Sequence, residues 1–448
     1  MASTSDFCFV HAADLHLDTP FKGIHQVAPA VAAALREASL QAFDAIVQLA
    51  LDRKAAFVVI AGDVYDGADR GIRAQLRFRD GLAKLATAGI PSFVVHGNHD
   101  PVTTGWTAVR SWPEGVTVFG SDDVTAVEVV REGTTIAVVQ GISYGRRDVT
   151  ENLALRFRRP DSYETPAPEL QGGVLHGGVL HVGVLHCNVH GASPGYADYA
   201  PCTIDDLRST ELDYWALGHI HQHTVLSEGR GARDPWIVYA GNSQARSPRA
   251  SERGTKGAVV AHVQEGRIAR VEHVACDSVR FAEIEYDVSG LTSLDEIEDQ
   301  LLAQAFEAAH AADGRALVLR ASLSGRSHAH VELARPGAIE GLLAHLRDAV
   351  RTAEPFLWWD GLTDQSARPI DLDAARSRGD FTSDLLALAD SVALDDESAT
   401  LLIDDVLGAV PRALAAELGT IMRDPETWAS MIATATSVAL DELSIGEQ

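Results

Sequence analysis

Four short polar motifs in this chain carry residue types that hold divalent cations or move protons, and each follows an apolar run. They are Asp14-Leu15-His16, Gly62-Asp63-Val64-Tyr65-Asp66, Gly97-Asn98-His99-Asp100 and Gly218-His219-Ile220-His221. His186, after the apolar run ending at Leu185, is a fifth candidate. Carboxylates, imidazoles and an amide oxygen together suit borderline ions such as Mn, Fe or Zn, rather than Cu(I) or Ca. The set offers more ligands than one ion needs. An Asp shared by two ions about 3.5–4 Å apart accounts for the surplus, and such a pair suits in-line phosphoryl transfer. Glycines ahead of Asp63, Asn98 and His219 let the backbone turn sharply off each run. Surface turn chemistry is the competing explanation, because Asp, Asn and Gly favour turns. Four motifs in the same position after a strand argue against it.

The elements before these motifs have to bring them together. Residues 7–12 read as a short strand, 29–54 as a helix with Pro29 near its first turn, and 57–61 as a buried strand. Residues 73–88 read as a helix ended by Gly89, and 91–96 as a third strand. This rhythm implies parallel pairing with right-handed crossovers. In an open α/β sheet the loops beyond the carboxyl ends of the strands converge in one crevice. Hairpin-like strands over 116–141 turn at Glu132-Gly133, and further strands are expected at 180–185, 214–217 and 236–240. Loops are expected at 160–173 and 227–235. Residues 258–263 and 268–274 form a β-pair joined at Glu265-Gly266. Near Cys276 the character changes to strand (281–288), helix (294–309), strand (316–323) and helix (339–350). Beyond Trp359 the chain reads as acidic helix rich in Ala and Leu, about 374–439. The expected segments are therefore 1–275, 276–358 and 359–448.

A local repeat, Gly172-Gly-Val-Leu-His176, Gly177-Gly-Val-Leu-His181 and Val182-Gly-Val-Leu-His186, has an odd period of five. In a strand its successive histidines face opposite sides. The following Cys-Asn-Val-His-Gly favours His186 as the functional copy, while His176 and His181 read as exposed or incidental.

Composition sets further limits. The chain has 448 residues, 46% of them hydrophobic, enough for two to three ordinary domains and against wholesale disorder. Apolar runs are strand-sized, so no membrane span is expected. The N-terminus shows no secretory pattern, and Cys8, Cys187, Cys202 and Cys276 lack a CxxC spacing. A cytoplasmic protein is expected. Taken as a whole, the net charge of −26 opposes a nucleic-acid ligand. It is unevenly spread, however: residues 281–448 hold 31 acids and 11 bases, leaving 32 acids and 26 bases before them. Two bound dications would offset much of the earlier deficit. Weak DNA binding by this chain alone follows, with reliance on metals and a partner.

The ordered motifs DxH, GDxxD, GNHD and GHxH resemble the calcineurin-like metallophosphoesterases. The match is closer to their DNA-repair exonuclease branch, the SbcD-type nuclease subunits, through His11-Ala-Ala-Asp-Leu-His-Leu-Asp18 and His186-Cys-Asn-Val-His-Gly191. Tyr239-Ala-Gly-Asn-Ser-Gln-Ala-Arg246 and Glu252-Arg-Gly-Thr-Lys-Gly257 add to it. The resemblance covers roughly residues 7–275. It implies an α/β four-layer α/β/β/α sandwich, followed by a small α+β capping module and a helical C-terminal segment. It implies that Asp14, His16 and His221 hold one metal, that Asn98, His186 and His219 hold the second, and that Asp63 bridges them. Mn2+ is the implied ion, with Fe, Zn or Mg as alternatives. His99 would protonate the leaving oxygen or stabilise the transition state, and Arg246 and Lys256 would bind substrate. The implied partners are DNA and an SMC-like coiled-coil ATPase, docked on the C-terminal helices. Oligomeric state stays open, a homodimer included.

The function expected is thus a two-metal DNA nuclease, exonuclease or endonuclease, acting in DNA repair. A metallophosphatase or phosphodiesterase acting on a small molecule or phosphoprotein uses the same core. A non-catalytic scaffold for DNA or an ATPase is a third reading, against which the intact ligand set speaks. Arg146-Arg147 and Arg156-Phe157-Arg158-Arg159 are further basic clusters suited to a DNA backbone, or to a solvated face. Asp100 is a candidate partner for His99 or a turn residue, Asp66 is a ligand-orienting or turn residue, and Asp18 is a candidate partner for His16. His11, His96, His190 and His223 read as ordinary hydrogen-bonded histidines.

Overall fold

The computed structural model describes residues 6–19, 29–67, 71–103, 107–159, 178–191, 197–229, 234–394, 396–410, 415, 418–419 and 421–445. The expected loop at 160–173, and His176 of the repeat, lie outside them.

The chain divides into two compact units. One comprises Met1–Ile284, Leu302–Ala321 and Leu343–Leu362; the other comprises Glu285–Leu301, Ser322–Leu342 and Thr363–Gln448. These units interleave along the sequence, where the expected segments run consecutively.

In the first unit, β1 (Phe7–Ala12), β2 (Val58–Ala61), β3 (Ser92–Val95) and β4 (Val116–Val118) pair in parallel. The strand pair β11 (Gly257–Gln264) and β12 (Arg267–Ala275) extends this sheet antiparallel, giving the order β12-β11-β1-β2-β3-β4. A second sheet runs β5-β6-β7-β8-β10-β9. Its strands are β5 (Thr125–Arg131), β6 (Thr134–Gly141), β7 (Leu180–His186), β8 (Tyr214–Gly218), β9 (Thr224–Ser227) and β10 (Trp236–Tyr239). β6, β7, β8 and β10 are parallel, with antiparallel strands at both edges.

Side-chain alternation explains the layering. Val58 and Ile60 pack with Val10, Ala12 and Val94 against Phe43 and Ile46 of α1 (Pro29–Asp52) and Phe78 and Leu82 of α2 (Ile72–Thr87). Phe57, Val59 and Ala61 point the other way, onto Phe9, Phe93, Val139, Val182, Val184 and Ala216, which fills the space between the sheets. The far face of the second sheet, with Leu185, Trp215, Leu217 and Ile237, is covered by Leu153, Phe157 and Leu207 of α3 (Ile204–Arg208). The result is the expected four-layer sandwich. Both strand-run apolar faces of β2 are buried, which is why it reads as a continuous hydrophobic run. The hairpin turns fall where the Glu-Gly pairs predict: Glu132 and Gly133 have φ 52° and 78°, Glu265 and Gly266 have φ 53° and 75°.

A three-stranded sheet follows, ordered β13 (Val279–Asp287), β14 (Ala316–Ser324) and β15 (Leu357–Asp364). Helices α4 (Leu294–Ala311), α5 (His330–Leu333) and α6 (Ala338–Ala349) connect its strands. The acidic C-terminal stretch is helical: α7 (Leu372–Ser377), α8 (Phe381–Leu394), α9 (Asp396–Gly408) and α10 (Pro425–Ile445). Small apolar clusters hold it, one around Ala375, Leu386 and Leu440, another around Ile403, Met422 and Trp428. Among the described residues no helix is long and apolar enough to cross a membrane, and all four cysteines are free thiols.

Candidate metal centre

The polar motifs sit at the carboxyl ends of β1, β2, β3, β7 and β8, where the loops of both sheets meet. The first of these loops prolongs the parallel ladder: Asp14 N–H donates to Gly62 O at 3.0 Å and His16 N–H to Asp63 O at 3.0 Å. Asp14, His16, Asp63 and His219 all adopt positive φ, at 50°, 43°, 50° and 103°. Such backbone costs an L-residue on the order of 1–2 kcal/mol each, so four instances in one place mark a built site.

The glycines serve two different ends. Gly62 has φ 91°, the sharp turn expected of it. Gly97 and Gly218 provide room instead: a Cβ at Gly218 would lie 1.8 Å from Ala61 O, and one at Gly97 would lie 2.3 Å from Asp63 Oδ1.

Asp14, His16 and His221 offer ligand atoms that all lie within 4.8 Å of one another, as do Asp14, Asp63 and His186. His16 Nε2 stands 3.2 Å from His221 Nε2 and 3.8 Å from Asp63 Oδ2. His186 Nε2 stands 2.9 Å from Asn98 Oδ1 and 3.4 Å from Asp63 Oδ2. His219 donates its backbone N–H to both oxygens of Asp14, at 3.1 and 3.0 Å, and its ring lies 5.3 Å from that of His186. All seven expected metal ligands are thus gathered at one place.

The donor chemistry fits cations. His186 Nδ1–H donates to the carbonyl of Ala61 at 3.0 Å, so Nε2 carries a lone pair turned on two oxygens. His221 Nδ1–H donates to Glu252 Oε1 at 2.5 Å, which turns its Nε2 toward His16. His219 Nε2–H donates to Ala197 O at 2.9 Å, leaving Nδ1 unprotonated. Acceptors aimed at one another in a buried space repel unless a positive ion lies among them. Burial pushes His16 well below its ordinary pKa, and takes both His186 and His219 to about 4, so their lone pairs are available at neutral pH. Burial, then the charge of Asp63, raises Asp14 well above the usual carboxylate range. Burial and Asp100 push Asp63 up to about 6. Two dications bound by these residues would hold the carboxylates ionised, neutralise a phosphate and supply a nucleophile at neutral pH.

His99 is arranged differently. Its backbone N–H donates to Asp63 Oδ1 at 3.0 Å, while its ring reaches solvent, with 29% of the side chain exposed against 1% for His16. Nδ1 pairs with Asp66 Oδ1 at 2.6 Å. Burial lowers its pKa, but the Asp66 hydrogen bond and the charge of Asp63 outweigh this and raise it overall. Nδ1 is committed to Asp66, so Nε2 is the nitrogen from which a proton can pass to a leaving oxygen.

Several expectations need correction. Asp100 does not orient His99: it accepts from His96 Nδ1 at 2.7 Å and from the backbone N–H groups of Gly97 and Val64, both at 2.9 Å. Asp66 takes that role, and it also pairs with the guanidinium of Arg246. Asp66, not Asp18, is the carboxylate nearest His16 Nδ1, at 3.9 Å; Asp18 Oδ2 lies beside Gly71. Lys256 is 3% exposed, with its ammonium donating to His221 O at 2.8 Å and Ser251 O at 3.1 Å, so it braces the site from beneath and does not face a substrate. His181 is fully buried in β7, on the opposite side of the strand from His186 as the odd spacing requires, and not exposed. Sequence reading missed Glu252. Its signal is its place at the head of Glu252-Arg-Gly-Thr-Lys-Gly257, between Arg246 and Lys256.

A family model described as calcineurin-like phosphoesterase matches residues 8–223, and one described as metallophosphoesterase YhaO, middle domain, matches residues 281–367. The uncharacterized metallophosphoesterase YhaO of Bacillus subtilis is 33% identical over 374 residues, 82% of this chain and 84% of that protein. The DNA double-strand break repair protein Mre11 of Thermoplasma acidophilum is 27% identical over 209 residues, covering 46% of this chain and 50% of that one. Among solved structures, a dimetal phosphatase from Danio rerio aligns with TM-score 0.33 and 15% identity, over 58% of this chain and 93% of that chain. The first family match takes in every motif from Asp14 to His221, and the Bacillus relative matches along most of both chains. On that ground the chain belongs to the calcineurin-like metallophosphoesterases, metal-dependent phosphoester hydrolases whose fold carries a dinuclear metal site.

Proposed function

We propose that this chain is a two-metal DNA nuclease of the SbcD type, an exonuclease that uses Mn2+ to hydrolyse phosphodiester bonds in DNA repair. The observation that carries the reading is the buried cluster of mutually opposed acceptor atoms, flanked by the half-exposed His99–Asp66 pair. That arrangement suits displacement at phosphorus with a proton donor at the leaving oxygen. The similarity to the archaeal Mre11 protein supports DNA as the substrate. Arg146, Arg147 and Arg158, exposed side chains in the same unit, suit contacts to a phosphate backbone. An SMC-like ATPase is the partner proposed for the C-terminal helices, where Phe381, Leu388 and Leu401 are 68, 60 and 68% exposed.

The test offers the chelator-treated chain, before and after Mn2+ is returned, three substrates: linear duplex DNA, hairpin DNA and an aryl phosphodiester. DNA shortening that vanishes with the metal and returns with Mn2+ is the expected result. Turnover of the aryl ester with both DNAs intact would overturn the nuclease reading in favour of a small-molecule phosphodiesterase. Two bound metals with no substrate touched would favour the scaffold.

A further inference from the structure

The two groups of metal-facing histidines are backed by different chemistry. In the second group, His186 and His219 donate to neutral backbone carbonyls, Ala61 O and Ala197 O. In the first group, His221 donates to a carboxylate, Glu252 Oε1. Glu252 is 6% exposed, and its other oxygen accepts from Asn242 Nδ2 at 2.7 Å and from Arg246 N–H at 3.1 Å. The backbone of His221 is pinned as well: its carbonyl accepts from Lys256 Nζ at 2.8 Å and from Asn242 N–H at 3.2 Å. A carboxylate therefore stands behind one metal-facing imidazole, with ring and main chain both held.

A carboxylate behind a ligating imidazole fixes its tautomer and orientation and makes the opposite nitrogen a stronger donor. A carbonyl does so less, because it carries no net charge. We propose that Glu252 is a positioning residue that makes the two cation sites unequal. Through His221 it gives the Asp14–His16–His221 site the higher affinity, and Lys256 keeps His221 in register. This rests on the reading of the centre as a two-metal site.

The experiment is a Mn2+ titration followed by calorimetry and by the electron paramagnetic resonance signal of free Mn2+, on the metal-free full chain. The unaltered chain is expected to bind two equivalents in separable steps. Glu252→Gln, which keeps shape and removes charge, should weaken the tighter step by about 10- to 100-fold. The weaker step should stay within about twofold, with no change in metal-free melting. In an Asn98→Ala background only the tighter step should remain, and Glu252→Gln should still weaken it. Should the Gln variant fail to fold, Glu252→Asp takes its place. It keeps the charge but shortens the reach, so a selectively weakened tighter step supports the proposal. An unmoved tighter step, or equal weakening of both, overturns it. Two steps of equal affinity in the unaltered chain overturn this inference alone. Fewer than two equivalents overturn the two-metal reading and this inference together.

Discussion

Asp63→Asn lowers phosphodiester turnover by about 10³-fold or more and reduces Mn2+ binding from two equivalents to one or none. One oxygen of Asp63, Oδ2, faces a nitrogen from each ligand group, His186 Nε2 at 3.4 Å and His16 Nε2 at 3.8 Å. Asn removes the charge that both cations would share. A pair of metal ions contributes several kcal/mol of charge stabilisation at the transition state, and each factor of ten in rate corresponds to about 1.4 kcal/mol. The loss should not come from misfolding. Asn tolerates the φ of 50° at this position about as well as Asp does. Without metal, removing one of the buried acids Asp14, Asp63 and Asp100 relieves like-charge repulsion. The metal-free variant is therefore expected to melt no lower than the unaltered chain, while calorimetry shows the missing equivalent. A variant that melts lower without metal, or that retains both equivalents, contradicts the assignment of Asp63 as the shared ligand.

His99→Ala should cost about 10²- to 10⁴-fold in turnover while leaving two Mn2+ equivalents bound. This split separates it from every ligand substitution, because His99 gives Asp63 its backbone N–H while its ring, edge-to-face with His16 at 5.0 Å, is paired with Asp66. Asp66→Asn should fall within the same range, since Asp66 acts by holding His99 Nδ1. The double variant should then be no slower than His99→Ala alone, as expected of residues that act as a unit. If the double variant is much slower, Asp66 acts mainly through Arg246, its other partner.

Much of this architecture is legible in the sequence because the signals are local. Residues 57–61 are apolar on both faces, and polar residues stand at or just after the ends of β1, β2, β3, β7 and β8, with glycines ahead of Asp63, Asn98 and His219. Those two facts place Asp14, Asp63, Asn98, His186 and His219 at one end of two parallel sheets. The charge partners were not legible, because they depend on pairings across the chain. Asp66 and Arg246 are 180 residues apart, and Glu252 lies 31 residues from His221. Nothing in local spacing says that Asp66 turns toward His99 while Asp100 turns back to His96. Likewise Lys256 is expected to bind substrate, yet the carbonyls of His221 and Ser251 take its ammonium inward. The odd-period repeat shows both sides of this. Its spacing correctly separates His181 from His186 by face, but says nothing of the burial of His181.

The central claim is a pair of cations sharing Asp63, and a crystal grown with Mn2+ and measured at the manganese absorption edge tests it most directly. Two anomalous-difference peaks are expected. One should lie against Asp14, His16 and His221 and the other against Asn98, His186 and His219, with Asp63 touching both. A single peak, or two peaks of which Asp63 touches only one, would contradict the account.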